Sequence, residues 1–234
     1  MKDAILSVLS PDYPWKDSFY WFDSVDSTNT YLKTAARQGA AHGTVAVANC
    51  QTGGKGRLGR SFQSPGGVGV YLSMLLRPQC PPEELMHLTC AVGAAMCDAL
   101  ERACGLRPGI KWTNDLVYGH KKAAGILTEL GTSPEGLYAV VGIGVNCCQQ
   151  LTDFPEELQA VAGSVAMATG KKQDRGRLTA EIINAMDEMY AAWQAGQWDV
   201  DRYRADCATI GREVRVIRAG SERNAFAEAV DDDF

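Results

Sequence analysis

Between Gln51 and Ser61 the chain reads Gln-Thr-Gly-Gly-Lys-Gly-Arg-Leu-Gly-Arg-Ser, residue types suited to capturing an anion. Glycines let the backbone fold so that several N–H groups converge on one oxyanion, and Lys55, Arg57 and Arg60 add full charges. Cations this close repel one another unless a counterion sits among them, so a purely structural turn gains nothing from them. The plainer alternative is a solvated loop. Two phosphate motifs overlap the segment, and neither fits. Gly54 to Gly59 matches G-x-G-x-x-G, but that fingerprint must open a helix, and Ser61 to Gly69 contains Pro65 and further glycines. Gly54 to Ser61 approximates a P-loop, yet Arg60 stands where its lysine belongs. Side-chain charge, without a helix dipole, must supply the field.

Two further clusters carry chemistry. Lys111-Trp112-Thr113-Asn114-Asp115 is followed by Lys121-Lys122-Ala123-Ala124-Gly125-Ile126-Leu127. Asn114 and Asp115 offer oxygen ligands suited to magnesium on a triphosphate. Lys122 enters an apolar strand, where an unpaired ammonium is costly; the plainer reading is a lysine that snorkels at a strand start. In Val141-Gly142-Ile143-Gly144-Val145-Asn146 the alternating glycines strip one strand face of side chains. That suits either a flat ligand lying on the backbone or a closely packed neighbour.

The elements that must hold these groups can be read from pattern. Phe19 to Phe22 reads as a buried strand, and Ser27 as the N-cap of a helix that Gly39 ends. Val45 to Ala48 and Val70 to Leu76 read as strands on either side of the glycine loop. Pro81-Pro82-Glu83 starts a long helix reaching Cys104, with Gly105 past its end. Four strand-like pieces follow as a hairpin series: Gly109 to Trp112, Leu116 to Tyr118, Ala123 to Leu130 and Leu137 to Cys147. A second long helix spans Arg177 to Trp193. After Gly211 the pattern becomes strand alternation through Val214, Val216, Ala225, Ala227 and Val230. The class is α+β, a mixed or antiparallel central sheet flanked by helices, with residues 1–208 as the main domain and 209–234 as the start of a small β domain.

The bulk composition narrows the options. A 234-residue chain with 46% hydrophobic residues can bury one substantial core plus a small appendage. A net charge of -5 argues against a large nucleic-acid-binding face. Eight cysteines without a C-x-x-C pair, three of them (Cys90, Cys97, Cys104) seven residues apart on a helix face, read as free thiols in a reducing compartment, the cytoplasm. His42, His87 and His120 show no metal-ligand spacing, the N-terminus is not a secretory signal, and no run reaches the length of a membrane span.

Taken in order, these segments resemble the biotin–protein ligase (biotin–acetyl-CoA-carboxylase ligase) family. Asp26-Ser27-Thr28-Asn29 is similar to its first motif, Gly54 to Arg60 to its glycine–arginine loop, Lys111 to Asp115 to K-W-P-N-D, Lys122 to Leu127 to K-x-x-G-I-L, and Gly142 to Asn146 to G-I-G-I-N. The resemblance implies a class II synthetase-like catalytic domain, with ATP, Mg²⁺ and biotin as ligands and biotinoyl-5′-AMP as intermediate. The acceptor would be a lysine of a biotin carboxyl carrier protein. It implies that Ser27, Thr28, Asn29, Gln51, Lys55, Gly56, Arg57, Lys122, Gly125 and Gly142 hold biotin. Arg60, Lys111, Asn114, Asp115 and Asn146 would serve ATP, with Asn114 and Asp115 toward magnesium. Lys122 and Arg57 would be catalytic, and Asp115 is a candidate base for the transfer step. Relatives dimerise, so a homodimer is possible.

The chain also departs from the family pattern. Lys55 and Leu58 replace arginines common in the loop, and Thr113 replaces the usual proline. The family's C-terminal SH3-like barrel would be incomplete at Phe234, and too few residues precede Asp26 to house a DNA-binding winged helix. Lipoate or octanoate ligation is the nearest rival chemistry, and a non-catalytic biotin or nucleotide sensor is a rival of another class. A nicotinamide oxidoreductase is disfavoured by the missing helix after the glycines.

Overall fold

The computed structural model describes residues 1–11, 13–81, 84–85, 87–218 and 220–232. Its frame is a seven-stranded sheet in the order β1-β2-β3-β7-β6-β5-β4. The strands are β1 (Phe19–Phe22), β2 (Val45–Ala48), β3 (Gly69–Leu76), β4 (Gly109–Lys111), β5 (Asp115–Tyr118), β6 (Lys121–Ser133) and β7 (Gly136–Asn146). Only β1 and β2 run parallel; the other neighbours are antiparallel. The expected mixed sheet and the hairpin series from β4 to β7 are both present.

Strand alternation divides the sheet into two faces. Val70, Leu72, Met74 and Leu76 of β3 and Val141, Ile143 and Val145 of β7 point into the main core. They meet Leu88, Val92, Met96 and Leu100 of α3 (Leu88–Cys104) and Leu178, Ile182 and Met186 of α6 (Arg175–Gln194). Each of these buried side chains stabilises the fold by about 1.5–3 kcal/mol. Cys90 and Cys97 share that buried face, as their spacing predicts. Glycine at φ +75 closes α3 at Gly105, and Asp174 caps α6 by accepting from the Gly176 and Arg177 N–H groups. The expected start of α3 at Pro81–Glu83 falls partly outside the described residues, and the regular helix begins at Leu88.

The second face carries one helix, α2 (Thr28–Arg37), capped by Ser27, and a small cluster of Leu32, Ala36, Ala46, Leu75, Tyr138 and Val140. Beyond α2 glycines and short side chains open gaps between the larger residues of this face. Register aligns Tyr71, Gly144, Gly125 and Asp115 in one row, and Ala46, Ser73, Gly142 and Leu127 in the next. The glycine pattern therefore leaves a depression beside the N-terminus of α2.

The remaining α-helices among the described residues are α1 (Lys2–Leu6), α4 (Glu156–Gln159), α5 (Val165–Thr169) and α7 (Val200–Asp206), none of which the sequence reading anticipated. After α7, β8 (Arg212–Arg218) and β9 (Ser221–Ala227) form a separate two-stranded sheet. Val230, expected to continue the strand pattern, lies past β9 with its side chain in the main core, and its carbonyl accepts from Arg204 Nε at 2.7 Å. That anchor ties the end of the hairpin back to α7.

Candidate functional site

The depression is a slot whose walls come from four motifs far apart in the chain. Ser27, Thr28 and Asn29 arrive at the start of α2, Gln51 and Lys55 to Arg57 from the loop after β2, and Lys122, Gly125 and Gly142 from β6 and β7. All ten residues expected to hold biotin line this one slot, with Asn114, Phe62 and Gly144 beside them.

The inner end is polar and tightly wired. Gln51 Oε1 accepts from the Thr28 N–H at 2.9 Å, and Gln51 Nε2 donates to Ser64 Oγ at 3.0 Å. Ser73, fully buried, lies 2.5 Å from Asn29 Oδ1 and 2.7 Å from Thr28 Oγ1. It has one proton to give; given to Asn29, its oxygen is left to accept from the Thr28 hydroxyl. Asn29 Nδ2 donates to Glu129 Oε2 at 2.9 Å, and Lys33 Nζ pairs with Glu129 Oε1 at 2.5 Å. Burial pushes the Glu129 carboxyl up, but hydrogen bonds from Lys33 and Asn29 outweigh it and hold the group below the usual carboxylate range. Sequence reading missed Ser73, Ser64 and Glu129, which form the layer behind the slot.

Glycines define the floor by what they admit. A Cβ at Gly142 would lie 2.1 Å from Asn29 Oδ1, and one at Gly144 2.6 Å from the Phe62 ring. At Gly125 it would stand 3.2 Å from both Cε and Nζ of Lys122. Both readings of the glycine strand thus hold: the bare backbone faces the slot and also lets neighbours approach closely.

The loop folds as a small hairpin. Phe62 N–H donates to Gly54 O at 2.9 Å and Gly56 N–H to Arg60 O at 2.7 Å. At the tip Leu58 takes φ +56 with its side chain 88% exposed. Arg57 turns inward: its Nη1 donates to Thr113 Oγ1 at 2.6 Å and Asn114 Oδ1 at 2.7 Å. Extended chain follows the loop, so charge has no helix dipole behind it.

A second depression abuts the first. Phe154, Leu158, Val161 and Ala162, around α4, make an apolar wall, with Asn146, Arg60, Phe62 and Lys122 completing it. Phe62 and Lys122 border both depressions. The apolar wall, with the polar Asn146 beside it, suits a flat heteroaromatic base, and Arg60 and Lys122 suit the phosphates of the same ligand. Lys122 Nζ pairs with Asp115 Oδ1 at 2.6 Å, so the ammonium neither snorkels alone nor lies unpaired. Phe154, Leu158 and Val161 escaped the sequence reading.

The expected nucleotide set comes together only in part. Lys111 is exposed and lines a different cleft, with Val117, His120, Thr209 and Arg212 under the C-terminal hairpin. Asn114 and Asp115 are both engaged by protein partners. Asn114 Oδ1 accepts from Arg57 while its Nδ2 donates to Ile126 O, and Asp115 already carries the Lys122 ammonium. Among the described residues no cluster of three or more His, Cys, Asp or Glu side chains could hold a metal ion. Among them, too, no helix is long and apolar enough to cross a membrane.

Comparison with known proteins agrees with this geometry. A family model described as the biotin/lipoate A/B protein ligase family matches residues 21–146. The bifunctional ligase/repressor BirA of Bacillus subtilis is 37% identical over 171 residues, covering 73% of this chain and 53% of BirA. The chain thus spans about half the length of BirA. The biotin–[acetyl-CoA-carboxylase] ligase of Paracoccus denitrificans is 33% identical, with 88% of each chain covered. The crystal structure of the Aquifex aeolicus biotin protein ligase in complex with biotin and ATP superposes with a TM-score of 0.75 at 30% identity, over 89% of this chain and 85% of that one. The chain belongs to the biotin/lipoate A/B protein ligase family, and within it to the biotin protein ligases.

Proposed function

We propose that this chain activates biotin with ATP to biotinoyl-5′-AMP and transfers the acyl group to a lysine of the carrier domain of a biotin-dependent carboxylase. The observation that carries the reading is the position of Lys122, whose side chain borders both the slot and the adjoining apolar depression. A carboxylate at the end of the one and an α-phosphate at the end of the other meet at that ammonium. Two anions at roughly 4 Å repel by about 4 kcal/mol at a protein-like dielectric, and a cation between them reverses the sign. Lys122 and Arg57 bind the charge that builds on the phosphorus centre, and pyrophosphate leaves. Magnesium belongs to the nucleotide here, arriving on the triphosphate as part of the substrate.

The polar inner end favours biotin over lipoate or octanoate. A ureido ring offers two N–H donors and a carbonyl to Ser27, Thr28, Asn29 and Gln51, whereas a dithiolane or alkyl chain offers none. Seating such an acid covers the wall's remaining donor and acceptor positions with apolar surface, so such acids are disfavoured. The transfer step needs a neutral lysine amine, and deprotonation at pH 7 costs about 4.6 kcal/mol from a pKa near 10.4. Asp115 serves Lys122 first, as its positioning partner, and is available as the base only if that pair opens. Eight cysteines with free thiols fit a reducing, cytoplasmic setting.

The test is pyrophosphate release with biotin, lipoate and octanoate in parallel. Release with biotin alone supports the reading; release with octanoate or lipoate at a similar rate replaces it with lipoyl ligation. Tight biotin binding with no release from any acid makes the chain a binding protein.

A further inference from the structure

The tip of the glycine loop is fastened to the turn between β4 and β5 through one guanidinium nitrogen. Arg57 Nη1 carries two protons, directed to Thr113 Oγ1 at 2.6 Å and Asn114 Oδ1 at 2.7 Å. Both acceptors are themselves fixed. Asn114 Nδ2 donates to Ile126 O, and the Asn114 carbonyl accepts from the Ile126 N–H, each at 2.9 Å. The Thr113 carbonyl accepts from the hydroxyl of Tyr203, a fully buried residue of α7, at 3.1 Å. A chain of contacts therefore runs from the core through the turn to the loop tip. Packing adds little there, because Leu58 is exposed and Arg60 is turned toward the second depression.

Position 113 is one of the departures from the family pattern, which carries proline there and so has no hydroxyl. The same chain also lacks arginines common in the loop, having Lys55 and Leu58 instead. We propose that Thr113 is a positioning residue: its hydroxyl latches Arg57 across the mouth of the slot and fixes the direction of a cation whose neighbour, Leu58, brings no charge. Asn114 alone accepts one of the two Nη1 protons; Thr113 adds the second bond that sets the direction of the guanidinium. In the ligase reading, on which this role rests, the latch retains the acyl-adenylate between the two half-reactions.

Three variants test it: Thr113→Val removes the acceptor at nearly constant volume, Thr113→Ser keeps it, and Thr113→Pro restores the family residue. The first readout needs no substrate. Trypsin cleavage of the full chain after Arg57 and Arg60, followed by mass spectrometry, is expected to run about fivefold faster in Thr113→Val and Thr113→Pro, and within about twofold of the parent in Thr113→Ser. Equal cleavage of parent and Thr113→Val, with equal melting temperatures, overturns the latch. The second readout is a single turnover with biotin and Mg·ATP in the absence of carrier, separating protein-bound from free acyl-adenylate. Release about fivefold faster in Thr113→Val, rescued in Thr113→Ser, is expected; release equal in all variants overturns the retention role. If the parent forms no adenylate, the ligase reading fails and the retention role falls with it, while the proteolysis result still decides the latch itself.

Discussion

Gly142→Ala is the perturbation whose cost can be worked out most fully. The new methyl would stand 2.1 Å from Asn29 Oδ1 and 2.8 Å from its Cγ, so the Asn29 side chain must leave. Leaving breaks its hydrogen bond from Ser73 and its bond to the Glu129 carboxylate. The first is worth about 1 kcal/mol and the second, to a charged partner, about 1.5–3 kcal/mol, so the loss is roughly 2–4 kcal/mol. Asn29 lines the slot proposed for biotin, and the same displacement therefore appears in two measurements. Calorimetric titration should show the Kd for biotin raised about tenfold, the cost of about one lost hydrogen bond to the ligand, with ATP affinity within about twofold. Thermal denaturation should show Tm lowered by about 4–16 °C. The double variant Asn29→Ala/Gly142→Ala removes the atom that the methyl strikes, and its Tm should lie above the value that additivity gives. Biotin bound by Gly142→Ala as tightly as by the parent, or strict additivity in the double variant, would refute the reasoning.

Asp115→Asn separates two roles. It should slow pyrophosphate release and acyl transfer by similar factors, about tenfold each, because Lys122 loses its partner; transfer slowed alone would instead mark Asp115 as the base. His42 is held below its ordinary pKa by burial and by the Arg77 charge, and its neutral Nδ1 accepts the Arg77 N–H at 3.2 Å. The unfolded chain takes up a proton near pH 6.5 that the folded chain resists, so stability should fall as pH drops from about 6.5 until the folded group titrates. Urea midpoints of His42→Asn should be flatter with pH across that window. Glu129 has the same sign at lower pH. Its contribution is present above its unfolded pKa of about 4.3 and is lost as pH falls through the depressed folded value, a dependence that Glu129→Gln should remove from Tm profiles.

What could be read from the sequence follows the range over which each feature acts. Glycines at 54, 125, 142 and 144, the N-cap at Ser27 and the strand alternation are local signals, and the sheet and slot grow from them directly. Ser73 is an unremarked serine in an apolar strand, and nothing local ties it to Asn29, 44 residues away, across two paired strands. Glu129 lies 100 residues from Asn29, and nothing in its own strand points to that contact. Phe154 and Leu158 have helical spacing, but α4 is four residues long, too short for periodicity to register. α7 buries only Tyr203, so its pattern is mostly polar, although Asp199 caps it through the Asp201 N–H and could have signalled the start. Lys111 shows the limit of reading a motif as one unit. Its motif neighbours Asn114 and Asp115 are at the site, but a strand reverses between them, and the side chain ends on another cleft.

Lys122→Met offers the most direct measurement, because it removes the ammonium while keeping most of the side-chain volume. With about 4 kcal/mol of repulsion left uncompensated, biotin-dependent pyrophosphate release should fall about 1000-fold, while biotin and ATP still bind one at a time. Release within tenfold of the parent, from a folded Lys122→Met protein, would contradict the claim that this cation joins the two depressions into one reaction site.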